Sequence, residues 1–139
     1  MPGSSPVPDS SPVFGSPDGL ASPAGYSHVV TIPSGRLVWT SGQIATGASG
    51  DVVGVGDWER QARQVFENVT RALQDAGAGW ADVVKLTFFV VAVSELPTIR
   101  AVRDEFVDTG RPPASSLVQV AGLVHPDLLL EVEAVAWLP

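Results

Sequence analysis

At 139 residues and 14.5 kDa, with 45% hydrophobic residues, the chain is long enough for one domain with a substantial core. Its net charge of −7, from 15 acidic and 8 basic residues with no Lys/Arg stripe, disfavours a nucleic-acid backbone as partner. The lack of cysteine excludes disulfides, thiolate metal ligands and a cysteine nucleophile. In chain order, residues 1–24 are dominated by Ser, Pro, Gly and Asp and read as a flexible tail, with a single domain over 25–139. The tail lacks the basic and apolar regions of a secretory leader, and no apolar run has the length of a membrane span. A cytoplasmic location without a membrane partner is therefore the expectation.

Tyr26 to Ile32 and Leu37 to Thr40, joined by the turn Ser34-Gly35, predict a β-hairpin. A Gly-rich stretch follows, with a short strand at Val52-Val53. Asp57 is a helix N-cap with Glu59 in the first turn, and Ala62, Val65, Phe66, Val69, Leu73 and Ala76 mark one apolar face up to Gly77 as the C′ residue. Val83 to Val93 is nearly continuous apolar and predicts a central strand covered on both faces. Ser94 as N-cap and Pro97 in the first turn open a second helix with Leu96, Ile99, Val102 and Phe106 on its apolar face, and Pro112-Pro113 forbids its continuation. Ser115 to Ala121 and Leu128 to Trp137 read as strands around a loop containing His125-Pro126. The order β-β-(β)-α-β-α-β-β predicts an α+β fold, a mixed sheet with two helices on one face. Its other face is also apolar, which points to oligomerisation.

Several residues are candidates for chemistry. Glu131 and Glu133 share one face of an otherwise apolar last strand, where a carboxylate can act as general acid/base or hold a water, or can simply face solvent. Ser41-Gly42-Gln43 follows a strand. Its amides suit an oxyanion or carboxylate, while the plain alternative is a turn that needs glycine for its dihedrals. Tyr26, the one tyrosine, stands at the junction of tail and domain. Arg100, Arg103 and Arg111 are available cations, and Arg111 is nearest in sequence to the Ser115 strand. His28 and His125 lack metal spacing and a third ligand, so no metal is expected. Nucleophile-elbow and phosphate-loop motifs are absent.

Taken together, Ser41-Gly42-Gln43-Ile44, Gln64-Val65-Phe66-Glu67-Asn68-Val69, Asp82-Val83-Val84-Lys85-Leu86-Thr87, Pro113-Ala114 with Val118 and Val120-Ala121, and Glu131-Val132-Glu133-Ala134-Val135-Ala136 resemble the RidA (YjgF-type) family of enamine/imine deaminases in order and spacing. The resemblance spans about Tyr26 to Trp137. It implies a chorismate-mutase-like fold and a homotrimer with a small-molecule cleft at each subunit interface, and it implies no cofactor or metal. Glu131 falls where the family has the glutamate near its catalytic water, Gly42 where an amide faces the ligand, Tyr26 near a pocket tyrosine, and the Leu117 backbone near the substrate. Ser115 is the departure: deaminating members usually carry there the arginine that binds the substrate carboxylate. A serine hydroxyl replaces a bidentate, charge-assisted contact with one neutral donor. Two functions follow. One is a hydrolase of enamine, imine or related C–N intermediates giving a carbonyl product and ammonia, with Glu131 catalytic, Tyr26, Ser41, Gly42, Ser115 and Leu117 binding substrate, and Arg111 as replacement cation. The alternative is a non-catalytic, metabolite-binding trimer. Some family members carry an endoribonuclease label, against which the acidic charge argues.

Overall fold

The structure, a computed structural model, describes Gly3 and residues 10–139. Of the expected tail, residues 1, 2 and 4–9 lie outside the described residues. The remainder contributes β1 (Val13–Gly15), which pairs antiparallel with β2 (Val29–Thr31) as a small separate sheet. The main sheet holds β3 (Arg36–Trp39), β7 (Leu130–Leu138), β5 (Val83–Val90) and β6 (Ala114–Gln119) in that order, with β4 (Gln43–Ile44) also on β7. Only β5 and β6 run parallel, and they are joined by α2 (Leu96–Asp104). The other pairs are antiparallel, and α1 (Trp58–Asp75) links β4 to β5.

The predicted hairpin does not form. β3 pairs with β7 in the register Trp39↔Val135, and β2 pairs with the tail. The sheet's longest strand offers β3 a full ladder of backbone partners beside the core, which local turn chemistry at Ser34-Gly35 does not match.

Helix α1 starts where its sequence signals place it. Asp57 Oδ1 accepts from the Arg60 amide at 3.0 Å, and Gly77 takes φ +78° just past the C-terminus. Its buried stripe, Ala62, Val65, Phe66, Val69 and Leu73, packs on the sheet. Phe66 lies 5.2 Å from Phe106 and 5.3 Å from Trp80, ring centre to centre, and closes one end of the core. Helix α2 begins at Leu96 after a short 3-10 turn rather than on a Ser94 cap, and no side chain caps it.

From Lys85 to Val90 in β5 and from Leu130 to Ala136 in β7 the side chains alternate. Leu86, Phe88, Val90, Leu130, Val132, Ala134 and Ala136 are buried beneath the helices. Lys85, Thr87, Phe89, Glu131, Glu133 and Val135 occupy the opposite, half-open face. A single chain thus covers one face of its central strand and leaves the other partly open, which differs from the expectation of a strand covered on both sides.

Gln61, which no sequence motif singles out, is fully buried on α1. Its amide donates to the carbonyls of Gly54 (3.1 Å) and Asp127 (2.8 Å) and accepts from the Leu129 amide (2.9 Å). Two loops are thereby tied to one helix, and every hydrogen-bonding group brought into the core there finds a partner.

Candidate functional site

The site is built around the start of β6. Pro112-Pro113 brings the chain extended into Ala114, and the segment before β2 docks beside it. The Ser27 amide donates to Pro113 O at 3.0 Å, its hydroxyl donates to Pro112 O at 2.6 Å, and Ser27 and Ala114 form a parallel bridge. This docking brings Tyr26 to the same cavity as Ser115. In β6, Ser115 pairs with Leu86 and Leu117 with Phe88, so both point to the helix-covered face. Tyr26, Phe88, Ile99, Arg103, Ser115 and Leu117 line a cavity of about 230 Å³ between β6 and α2, with Arg100 also at its wall. That is smaller than the roughly 300–1,000 Å³ of sites for drug-sized molecules and suits a small metabolite.

Arg103 is 8% exposed, on the last turn of α2. Its Nε donates to Asp104 Oδ1 at 2.9 Å. Its Nη end packs against Gly25, whose φ of +79° and missing Cβ allow the approach; a methyl group there would overlap the guanidinium. Arg111, the cation expected from sequence proximity, goes elsewhere. Its guanidinium lies 4.7 Å over the Phe14 ring and reaches Pro12 O at 3.4 Å, so it fastens the β1 segment rather than lining the Ser115 cavity. Outside the cavity, Arg63 bridges α1 to the end of α2 by donating to the Glu105 carboxylate at 2.9 Å; that hydrogen bond, then the charge of Glu105, raises the Arg63 pKa.

Glu131 and Gly42 form a second cluster. Glu131 pairs with Phe89 and faces the half-open side of the sheet. Its carboxylate is packed so closely on Gly42 that a Cβ at that position would overlap it. Gly42 does not take a positive φ, so its role is close approach, not an unusual dihedral angle. Ser41 is exposed, with its carbonyl accepting from Gln43 Nε2 at 3.3 Å. Asn68 of α1 holds this loop by donating to Ile44 O (3.0 Å) and Thr46 O (2.9 Å).

The structure therefore brings Tyr26, Ser115 and Leu117 together and brings Gly42 and Glu131 together, but it does not join the two groups within one chain. β5 lies between β6 and β7, so two strand spacings, about 10 Å, separate them, and the side chains leave opposite faces. Among the described residues, no His/Asp/Glu cluster could hold a metal ion, and no helix is long and apolar enough to cross a membrane. In sequence Arg103 is one of several helix arginines; only the helix register and the burial of α2 reveal that it lines the cavity.

Comparison with known proteins gives a consistent result. A family model described as endoribonuclease L-PSP matches residues 17–138. The 3-aminoacrylate deaminase RutC of Acinetobacter baylyi is 35% identical over 120 residues, covering 86% of this chain and 93% of that one. The conserved Rid-family protein YyfB of Yersinia pestis superposes with a TM-score of 0.81 at 36% identity, over 91% of this chain and 98% of the other. TdcF of Escherichia coli, solved with bound serine, superposes with a TM-score of 0.67 at 32% identity, again over 91% and 98%.

Proposed function

The chain belongs to the Rid (YjgF-type) family that carries the endoribonuclease L-PSP description, and we propose that within it this protein is a hydrolase of small enamine or imine intermediates. The observation that carries the reading is Glu131 held on Gly42: a carboxylate at a fixed position beside a backbone that no side chain obstructs. The names of the relatives add support, since RutC is described as a 3-aminoacrylate deaminase.

The chemistry assigned to these residues is hydrolysis of a C=N bond. Water bound by the Glu131 carboxylate attacks the imine carbon, and Glu131 takes a proton as the C–O bond forms. The proton passes to nitrogen and gives a carbinolamine; Glu131 then carries the carbinolamine's hydroxyl proton to the amine as the C–N bond breaks, ammonia leaves and the carbonyl product remains. An enamine enters the same path after protonation at its β-carbon. The cavity at Ser115 and Leu117 holds the rest of the substrate, with Tyr26 and Phe88 as its apolar walls. Because one chain separates Glu131 from that cavity, the complete site is assigned to the junction between copies in a homotrimer, the half-open face of one sheet meeting the cavity of its neighbour.

The test is ammonia and 2-oxo acid release from enamines generated in situ by a pyridoxal-phosphate dehydratase. Wild type is expected to accelerate release, and Glu131→Gln to lower the rate roughly 10²- to 10⁴-fold. A folded wild type that leaves the spontaneous rate unchanged would sink the hydrolase and favour a metabolite-binding role.

A further inference from the structure

We propose that Arg103 supplies the anion site of the Ser115 cavity, so that the ligand carries a carboxylate although the strand position that faces it is a serine. The inference rests on the reading that this cavity receives the substrate, and it names the substrate class.

Three observations carry it. First, the cavity wall holds two of the chain's eight basic residues, Arg100 and Arg103, and no acidic one, in a protein of net charge −7. Second, Arg103 is a buried guanidinium that is only partly engaged. Its side chain is 10% exposed, and its one hydrogen bond among the described residues runs from Nε to Asp104. A buried guanidinium is costly unless it is paired, and the Nη edge has two further donors in the fork geometry that fits a carboxylate. Third, Arg103 lines the cavity, and its Nη end is held beside the segment that walls it. That end rests on Gly25, and the flanking residues Ala24 and Tyr26 both line the same space.

Ser115 and Arg103 are complementary in this arrangement. A long side chain at position 115 would fill the volume that the small serine leaves to the ligand beside the guanidinium. The charge enters from helix α2 rather than from strand β6, and the ligand's anionic end is displaced toward α2 and the Gly25 segment. Asp104 fixes the Nε edge and leaves the Nη edge for the ligand. Arg100 is exposed, so its charge is screened at physiological salt and contributes less than the buried one.

Binding separates this proposal from turnover. The full-length protein is titrated calorimetrically with pyruvate and with its neutral counterpart pyruvamide, in wild type, Arg103→Gln, Arg103→Lys, Gly25→Ala and Arg100→Gln. Wild type is expected to prefer pyruvate. Arg103→Gln should weaken pyruvate binding roughly 10- to 100-fold and leave pyruvamide unchanged. Arg103→Lys keeps the charge without the fork and should fall between. Gly25→Ala, which pushes the guanidinium aside, should reproduce part of the loss, and Arg100→Gln should change little. If Arg103→Gln does not fold, the lysine and Gly25→Ala variants decide the matter. Equal affinity for pyruvate and pyruvamide, no binding of either, or folded Arg103 variants with wild-type pyruvate affinity each overturn the proposal. Arg103-dependent pyruvate binding without imine hydrolysis sinks the hydrolase and keeps the anion site. Hydrolysis indifferent to Arg103 does the reverse.

Discussion

Gly42 and Glu131 constrain each other: the carboxylate keeps its place only because position 42 has no Cβ. Since Gly42 adopts an ordinary φ, Gly42→Ala introduces little backbone strain and acts by displacing Glu131. Turnover is expected to fall roughly 10- to 100-fold, a fraction of the general-base contribution, while the urea midpoint stays near that of wild type. Steady-state kinetics beside equilibrium unfolding check this, and an alanine variant with full activity would mean that Glu131 is not the group that holds the water. Gln61 is the opposite case, a buried polar residue whose work is structural. Gln61→Leu keeps the volume but leaves the Asp127 carbonyl and the Leu129 amide without their partner, while the Gly54 carbonyl keeps the Asp57 amide. It should cost about 2–4 kcal/mol in urea unfolding, with the loss seen also as faster amide exchange at Leu129.

Helix α1 shows what local sequence encodes well. An N-cap, an acidic first turn, an apolar stripe at helical spacing and a C′ glycine all act within a few residues, and each is found in its expected place, except that Ala76 at the end of the stripe is exposed as the C-cap. Asp57→Ala should lower stability by about 1 kcal/mol, measured by thermal unfolding; a neutral result would show that tertiary packing alone holds the helix start. Strand partners are another matter. β3 reads as one arm of a hairpin, yet its partner β7 is about a hundred residues away, because pairing is decided by which backbone edge the assembled core presents. The candidate site was legible in the same uneven way. Glu131, Gly42 and Ser115 stand out through resemblance and alternation. Arg103 and Arg111 are both ordinary arginines in sequence, and proximity to β6 favoured the second. The rotation of α2 over β6 turns Arg103 inward, while the strand at Val13–Gly15 draws Arg111 away to Phe14.

At the scale of the molecule, the uncovered sheet face is the feature that still needs a partner. Leu37 is 43% exposed, Trp39 69% and Val118 46%; all three belong to the side that carries Glu131, with Phe89 and Val135 between them. An apolar surface of this kind, interrupted by carboxylates and Lys85, is what the trimer reading turns inward. Trp39 is the largest single contributor, and covering its exposed part should stabilise the assembly by about 2–4 kcal/mol per chain. Trp39→Lys replaces that surface with a charge that loses hydration at the interface. In sedimentation velocity, wild type is expected to run as a trimer, and Trp39→Lys to shift toward monomer at micromolar concentration with its circular dichroism intact. Turnover should fall in step with the trimer fraction, because in one chain the cavity and Glu131 lie on opposite faces of the sheet. Concentrating the variant should restore both together. A monomeric variant with full activity would place the complete site within a single chain, and a monomeric wild type would remove the junction between copies from the mechanism.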